Sequence, residues 1–190
     1  MTVIQSLDLV FLNFINNNFF HNSFMDKLMI ILTSLGDMGL IWILISIGLL
    51  ITPKYRKVGF MTICALILSS ILGEGLLKHL IQRPRPFIAD PTVQLLITKP
   101  LSYSFPSGHT TSAFAAAGIL VRMVKKYRGY VIALALMIAF SRMYLFVHYL
   151  SDIIGGIIVG LICSKVVLYF FELGSQWATH KDEGKGGISI

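Results

Sequence analysis

A chain of 190 residues that is 55% hydrophobic and only 13% charged is not a soluble globular domain, because such domains carry about 25% charged residues. It reads as an integral membrane protein, all-α, with one domain spanning residues 1–190. The net charge is +7, but the basic residues sit at the ends of apolar runs. That pattern marks membrane orientation and phosphate binding and argues against nucleic acid as a partner.

In chain order, residues 3–20 come first. Ile4, Leu7, Val10, Phe11, Phe14 and Ile15 recur at helical spacing, while Gln5, Asp8, Asn13 and Asn16 to Asn18 make the segment polar for a span. An interfacial amphipathic helix over 1–23 is the preferred reading, and a first membrane span is the alternative. The core, 24–171, begins with a long apolar stretch over 24–52. It is interrupted by Gly36-Asp37-Met38-Gly39 and read as one crossing broken at those glycines; Asp37 is a candidate cap for the half-helix that follows. Four further spans are predicted over 58–80, 108–124, 130–147 and 153–171, each near the roughly 20 residues a bilayer requires. The expectation is a polytopic transmembrane helix bundle of five or six spans, ending in a polar tail over 172–190.

Lys54, Arg56 and Lys57, then Lys125, Lys126 and Arg128, then Lys181 and Lys185 fall on one side under alternating crossings. That side is expected to be cytoplasmic, the C-terminus with it, in the cell membrane. The loop 78–107 and the turn around His148 then face the periplasm or exterior. Arg83, Arg85, Lys99 and Arg142 are positive residues that orientation does not require there, which points to a local anionic ligand. Cys64 and Cys163 lie within apolar runs and imply no disulfide framework. No basic n-region or small-residue cleavage site opens the chain, so no removable signal peptide is expected.

Three polar clusters carry the chemistry, each at the end of an apolar run, where charges are functional candidates by default. The first is Lys78-His-Leu-Ile-Gln-Arg83-Pro-Arg85-Pro86. Pro84 and Pro86 are expected to stop the helix and hold the guanidiniums in extended backbone, where Arg offers a fork for phosphate oxygens and Lys a point charge. Snorkelling cations are the plain alternative. The second is Pro106-Ser107-Gly108-His109: an N-cap serine, a glycine that admits a ligand, free N–H groups at a helix start and a histidine that titrates near neutrality. The third is Ser141-Arg142-x5-His148-x3-Asp152. His148 and Asp152 are spaced to share a helical face, and an Asp on one imidazole nitrogen leaves the other free. Arg142 requires a turn over 146–151 to reach them. Glu74, one turn before Lys78, is expected to pair with it, with headgroup contact as the alternative; His79, His21 and His180 look incidental.

Together these clusters resemble, in order and spacing, the three-part signature of the type 2 phosphatidic acid phosphatase (PAP2) superfamily, over roughly 58–171. That superfamily includes membrane lipid phosphatases, bacterial undecaprenyl pyrophosphate phosphatases and vanadium haloperoxidases. The resemblance implies that Lys78, Arg85 and Arg142 clamp phosphoryl oxygens, helped by Ser107 and Gly108 and secondarily by Arg83 and Glu74. It implies that His148 attacks phosphorus to form a phosphohistidine, Asp152 orients it and His109 protonates the leaving oxygen. It implies no metal and no cofactor, a lipid phosphate and the bilayer as partners, and no obligate protein partner. Small size and an outward site favour undecaprenyl pyrophosphate as substrate, then phosphatidylglycerophosphate, then phosphatidic acid. A vanadate-dependent peroxidase and a non-enzymatic lipid-binding or transport protein are the competing classes.

Overall fold

The computed structural model describes residues 3–18, 22–90 and 92–185, and among these the chain is helical with no strand. His21 lies outside the described residues, as do the side chains of His180, Lys181 and Lys185. Helix α1 (Val3–Asn18) is amphipathic, but not as its apolar residues suggest. Asp8, Leu12 and Ile15 are buried, one below the other, while Leu7, Val10, Phe11 and Phe14 are exposed. The greasier face thus points outward and the face that carries an aspartate packs on the helices Arg128–Tyr144 and Leu150–Lys185, the reverse of a helix on a soluble domain.

Helix α2 (Ser23–Gly36) is capped by the Asn22 side chain, which accepts from the Phe24 and Met25 amides at 3.1 and 2.9 Å. It buries Met29, Leu32, Thr33 and Gly36, one stripe at helical spacing. The chain then turns through Met38 (φ 50°) and Gly39 (φ 73°), both left-handed, into α3 (Leu40–Ile51). The predicted break is therefore there, but Asp37 is not its cap: Gly39 holds that position with no side-chain bond.

Helix α4 (Arg56–Ser70) runs through a π-helical turn, Ile71–Leu77, into α5 (Lys78–Ile81). Such turns re-aim side chains and cluster at functional sites; this one carries Glu74 and delivers Lys78 inward. Left-handed Gln82 (φ 47°) ends the helix two residues before Pro84. Pro86 does not stop a helix but opens the short α6 (Pro86–Ala89), a position that suits its fixed φ. Helices α7 (Gly108–Met123), α8 (Arg128–Tyr144) and α9 (Leu150–Lys185) follow. The last runs for 36 residues, so the helix continues into the segment expected as a tail.

Among the described residues, three segments are long and apolar enough to cross a membrane: Ser23–Ile51, Pro53–Ala89 and Leu150–Gly174. Helices α7 and α8, at 16 and 17 residues, are shorter. Helix α7 is the centre of the bundle, burying Ala113, Ala115, Ala116 and Ala117 against α4, α8 and α9. Its seam with α9 is built from Gly156, Gly160 and Ser164 at every fourth residue. A Cβ on Gly156 would lie 2.9 Å from the Ser107 carbonyl oxygen, and one on Gly160 2.5 Å from that of Thr111. Only small residues allow backbones this close. The seam brings the first turns of α7 and α9 together, so that the Ser107 amide donates to the Asp152 carbonyl at 3.1 Å.

Candidate active site

All three polar clusters meet at the end of the bundle where α5 ends, α7 begins and α8 turns into α9. Lys78, Arg85, Gly108, His109, Arg142 and His148 line one cavity of about 1020 Å³. Apolar side chains share the lining, among them Ile30, Leu66, Leu95, Leu96 and Ile97, with Ser34, Asp37 and Lys99 between them. The basic turns before α4 and α8 lie at the far ends of these helices, about 24 Å away at 1.5 Å per residue of α7.

Arg142 and His148 converge because α8 ends at Tyr144 and the corner turns through left-handed Phe146 (φ 57°). The Val147 amide donates back to the Arg142 carbonyl at 3.1 Å. His148 precedes α9, so its meeting with Asp152 is not the shared helical face expected from their spacing. Asp152 stands at the third helical position and reaches back to the Tyr149 amide at 2.9 Å, half of a capping box. The same oxygen takes the Ser104 hydroxyl at 2.5 Å and faces His148 Nδ1 at 3.4 Å. Its other oxygen takes Arg83 at 2.6 Å.

Arg85 donates to the Val147 carbonyl at 2.9 Å and faces His148 Nε2 at 3.1 Å. A guanidinium can only donate, so Nε2 is the acceptor and Nδ1 carries the proton towards Asp152. Burial, with the Arg85 and Arg142 cations alongside and Asp152 opposing them, holds His148 well below the ordinary histidine range. His148 is thus a neutral imidazole at the cavity wall, its Nε2 lone pair engaged by Arg85 and available to a nucleophilic role once a phosphoryl group takes that guanidinium.

Lys78 donates to Ser102 Oγ at 3.1 Å and pairs with Glu74 at 2.8 Å. Arg85 grips the same Ser102, at its carbonyl from 2.7 Å and its hydroxyl from 3.0 Å. Arg142 donates to the Thr33 hydroxyl, while its buried Nε has no partner among the described residues. Ser107 occupies the N-cap position of α7 but makes no cap bond: it is buried beneath the cavity and accepts from Thr110 Oγ1 at 3.0 Å. Glu74 lies against Gly108, where any Cβ would sit 2.0 Å from the carboxylate.

Arg83 stands apart from the cavity lining. It bridges Asp152 and Asp8 at 2.6 Å each, bonds Ser151 Oγ at 2.6 Å and stacks 4.1 Å over the Tyr149 ring. Asp8 in turn accepts from the Ser151 amide and hydroxyl. Arg83 therefore braces the carboxylate behind His148. On the opposite wall His109 Nε2 bonds Asp37 Oδ1 at 2.9 Å. Sequence reasoning did not single out Thr33, Ser102, Ser104, Asp8 or Tyr149. Ser102 and Ser104, alternating in a polar loop after Pro100, were the one local hint.

Three buried cations, Lys78, Arg85 and Arg142, beside two imidazoles that each face a carboxylate, suit a phosphatase, here at one end of a membrane-type helical bundle. The profile of the PAP2 superfamily matches residues 56–174, and the chain belongs to that superfamily. It is 33% identical over 138 residues to an undecaprenyl-diphosphatase of Sulfolobus acidocaldarius, a match spanning 72% of this chain and 66% of that protein. It is 30% identical over 157 residues to the undecaprenyl-diphosphatase BcrC of Bacillus subtilis, spanning 80% and 78%. Among solved structures, Aquifex aeolicus LpxE superposes with a TM-score of 0.77 at 30% identity, over 89% of this chain and 99% of that one.

Proposed function

We propose that this phosphatase removes a terminal phosphate from a membrane lipid, with undecaprenyl diphosphate as the favoured substrate, by way of a phosphohistidine at His148. The observation that carries the reading is the neutral, buried His148, with Nδ1 towards Asp152 and Nε2 3.1 Å from Arg85. Arg85, Lys78 and Arg142 line the same cavity as His148 and are suited to take the oxygens of a phosphorus bound at Nε2. Such fixed donors stabilise the charge that spreads over those oxygens in the transition state. As the bond from Nε2 to phosphorus forms, the bond to the leaving oxygen breaks and His109 gives that oxygen its proton. Water then attacks the phosphohistidine, its proton passes to His109, and inorganic phosphate leaves with both imidazoles restored. The apolar side chains in the lining, Ile30, Leu95, Leu96 and Ile97, are suited to the first segment of a lipid chain.

The two undecaprenyl-diphosphatase relatives support the choice of a polyprenyl diphosphate. The deciding assay is phosphate release, in detergent, from undecaprenyl diphosphate, phosphatidylglycerophosphate and phosphatidic acid side by side. The reading expects kcat/KM to be highest for the diphosphate. A higher value for either glycerolipid overturns the substrate, and binding with no release from any of them leaves a lipid-binding protein.

The proposal includes five crossings with the cavity facing the periplasm or exterior and α1 at the interface, on the basis of the basic residues at the far end. In a background with Cys64 and Cys163 replaced, a membrane-impermeant thiol reagent applied to intact cells, or to spheroplasts, should label Thr92→Cys and spare Lys126→Cys. The reverse pattern inverts the orientation.

A further inference from the structure

We propose that Asp37 is a positioning residue for His109, which makes the turn between α2 and α3 part of the catalytic apparatus and not only a break in an apolar segment. The inference rests on the reading of His109 as the acid for the leaving oxygen. Three contacts from this one stretch converge on the site. Asp37 Oδ1 bonds Nε2 of His109 at 2.9 Å. The Thr33 hydroxyl anchors Arg142. Gly36 lies flat against the imidazole, where a Cβ would be 2.7 Å from Cδ2.

The backbone that presents Asp37 is unusual. Met38 takes a left-handed conformation (φ 50°) that a long side chain rarely adopts, and its own side chain is 96% exposed. Nothing packs on Met38 to explain the turn, whereas Asp37 and Gly36 both touch His109. The Asp37 side chain is 63% exposed, and ion pairs in that setting add little to stability. A carboxylate there is better accounted for by what it does to the ring: it holds the Nε2 proton, fixes the orientation and stabilises the imidazolium, whose other nitrogen, Nδ1, gives its proton to the leaving oxygen. The site then holds two aspartate–histidine pairs on facing walls, and the partner of the second lies outside residues 56–174.

The test reads leaving-group dependence. Asp37→Ala, Asp37→Glu, His109→Ala and the double Asp37→Ala/His109→Ala are assayed on phosphatidylglycerophosphate, whose leaving alkoxide needs a proton, and on p-nitrophenyl phosphate, whose phenolate does not. General-acid help is worth about 10² to 10⁴-fold. Asp37→Ala is expected to lower the ratio of lipid to p-nitrophenyl turnover at least roughly tenfold, through kcat and not KM, and Asp37→Glu to recover most of it. The double variant should be no slower on the lipid than His109→Ala, because the two residues act as one unit. Equal losses on both substrates in Asp37→Ala, beside a preserved split in His109→Ala, overturn the role of Asp37 alone. No split in His109→Ala overturns the acid assignment and this proposal with it. If Asp37→Ala does not fold, Asp37→Asn supplies the same ratio.

Discussion

His148 and His109 each face a carboxylate, at 3.4 and 2.9 Å, but one pair is sealed and the other open. The side chains of His148 and Asp152 are 1% and 0% exposed, those of His109 and Asp37 16% and 63%. Asp152 is held by four donors from three directions: Arg83, Ser104, the Tyr149 amide and the imidazole. Asp37 rests on a strained turn at the cavity mouth. The contrast suits the proposed duties. A group that bonds to phosphorus must be dry, neutral and fixed, since a displacement of a few tenths of an ångström is felt in the barrier. A group that hands over a proton and later collects one from water must be reachable by both.

The contrast can be broken at three points, in falling order of effect. Asp152→Asn keeps the shape but lets Nδ1 lose its acceptor, and kcat should fall by as much as about 10⁴-fold with little change in KM. A loss confined to KM would mean that Asp152 serves binding and not the imidazole. Arg83→Gln leaves two buried carboxylates, Asp8 and Asp152, without their shared cation. Breaking such a pair costs roughly 3–5 kcal/mol, so thermal unfolding in detergent should move down sharply; an unchanged midpoint would show that the brace is idle. Gly36→Ala places a methyl against His109 and Ile138 and should cost about 1–3 kcal/mol. Its activity loss should be larger on phosphatidylglycerophosphate, which leaves as an alkoxide, than on p-nitrophenyl phosphate. Equal loss on both would place the strain in the bundle and not on the ring.

What the sequence disclosed and what it hid follow the same division. The three clusters are local strings at the ends of apolar runs, so the gathering of Lys78, Arg85, His109, Arg142, His148 and Asp152 at one end of the bundle was readable, as was the turn that Arg142 needs. Contacts between distant segments left no such trace. Asp8 read as a polar blemish on an amphipathic helix, because only the folded chain sets it 2.6 Å from Arg83. Arg83 read as a phosphate ligand because its charge is visible in sequence and its two carboxylate partners are not. Asp37 read as a cap because an Asp between two glycines at a helix break usually is one; its partner is 72 residues away. The apolar positions of α1 showed its helical period, but not that Asp8, Leu12 and Ile15 form the face that packs on the bundle.

The central claim is that phosphorus passes through His148. Rapid acid-free quenching of wild-type enzyme with lipid labelled in its terminal phosphate should trap an acid-labile, base-stable phosphoenzyme, and peptide mapping should place the label on His148. His148→Ala should yield no labelled protein and almost no turnover, while Asp152→Asn should form the label slowly. An acid-labile phosphoenzyme of wild-type yield in His148→Ala would contradict the account at its root.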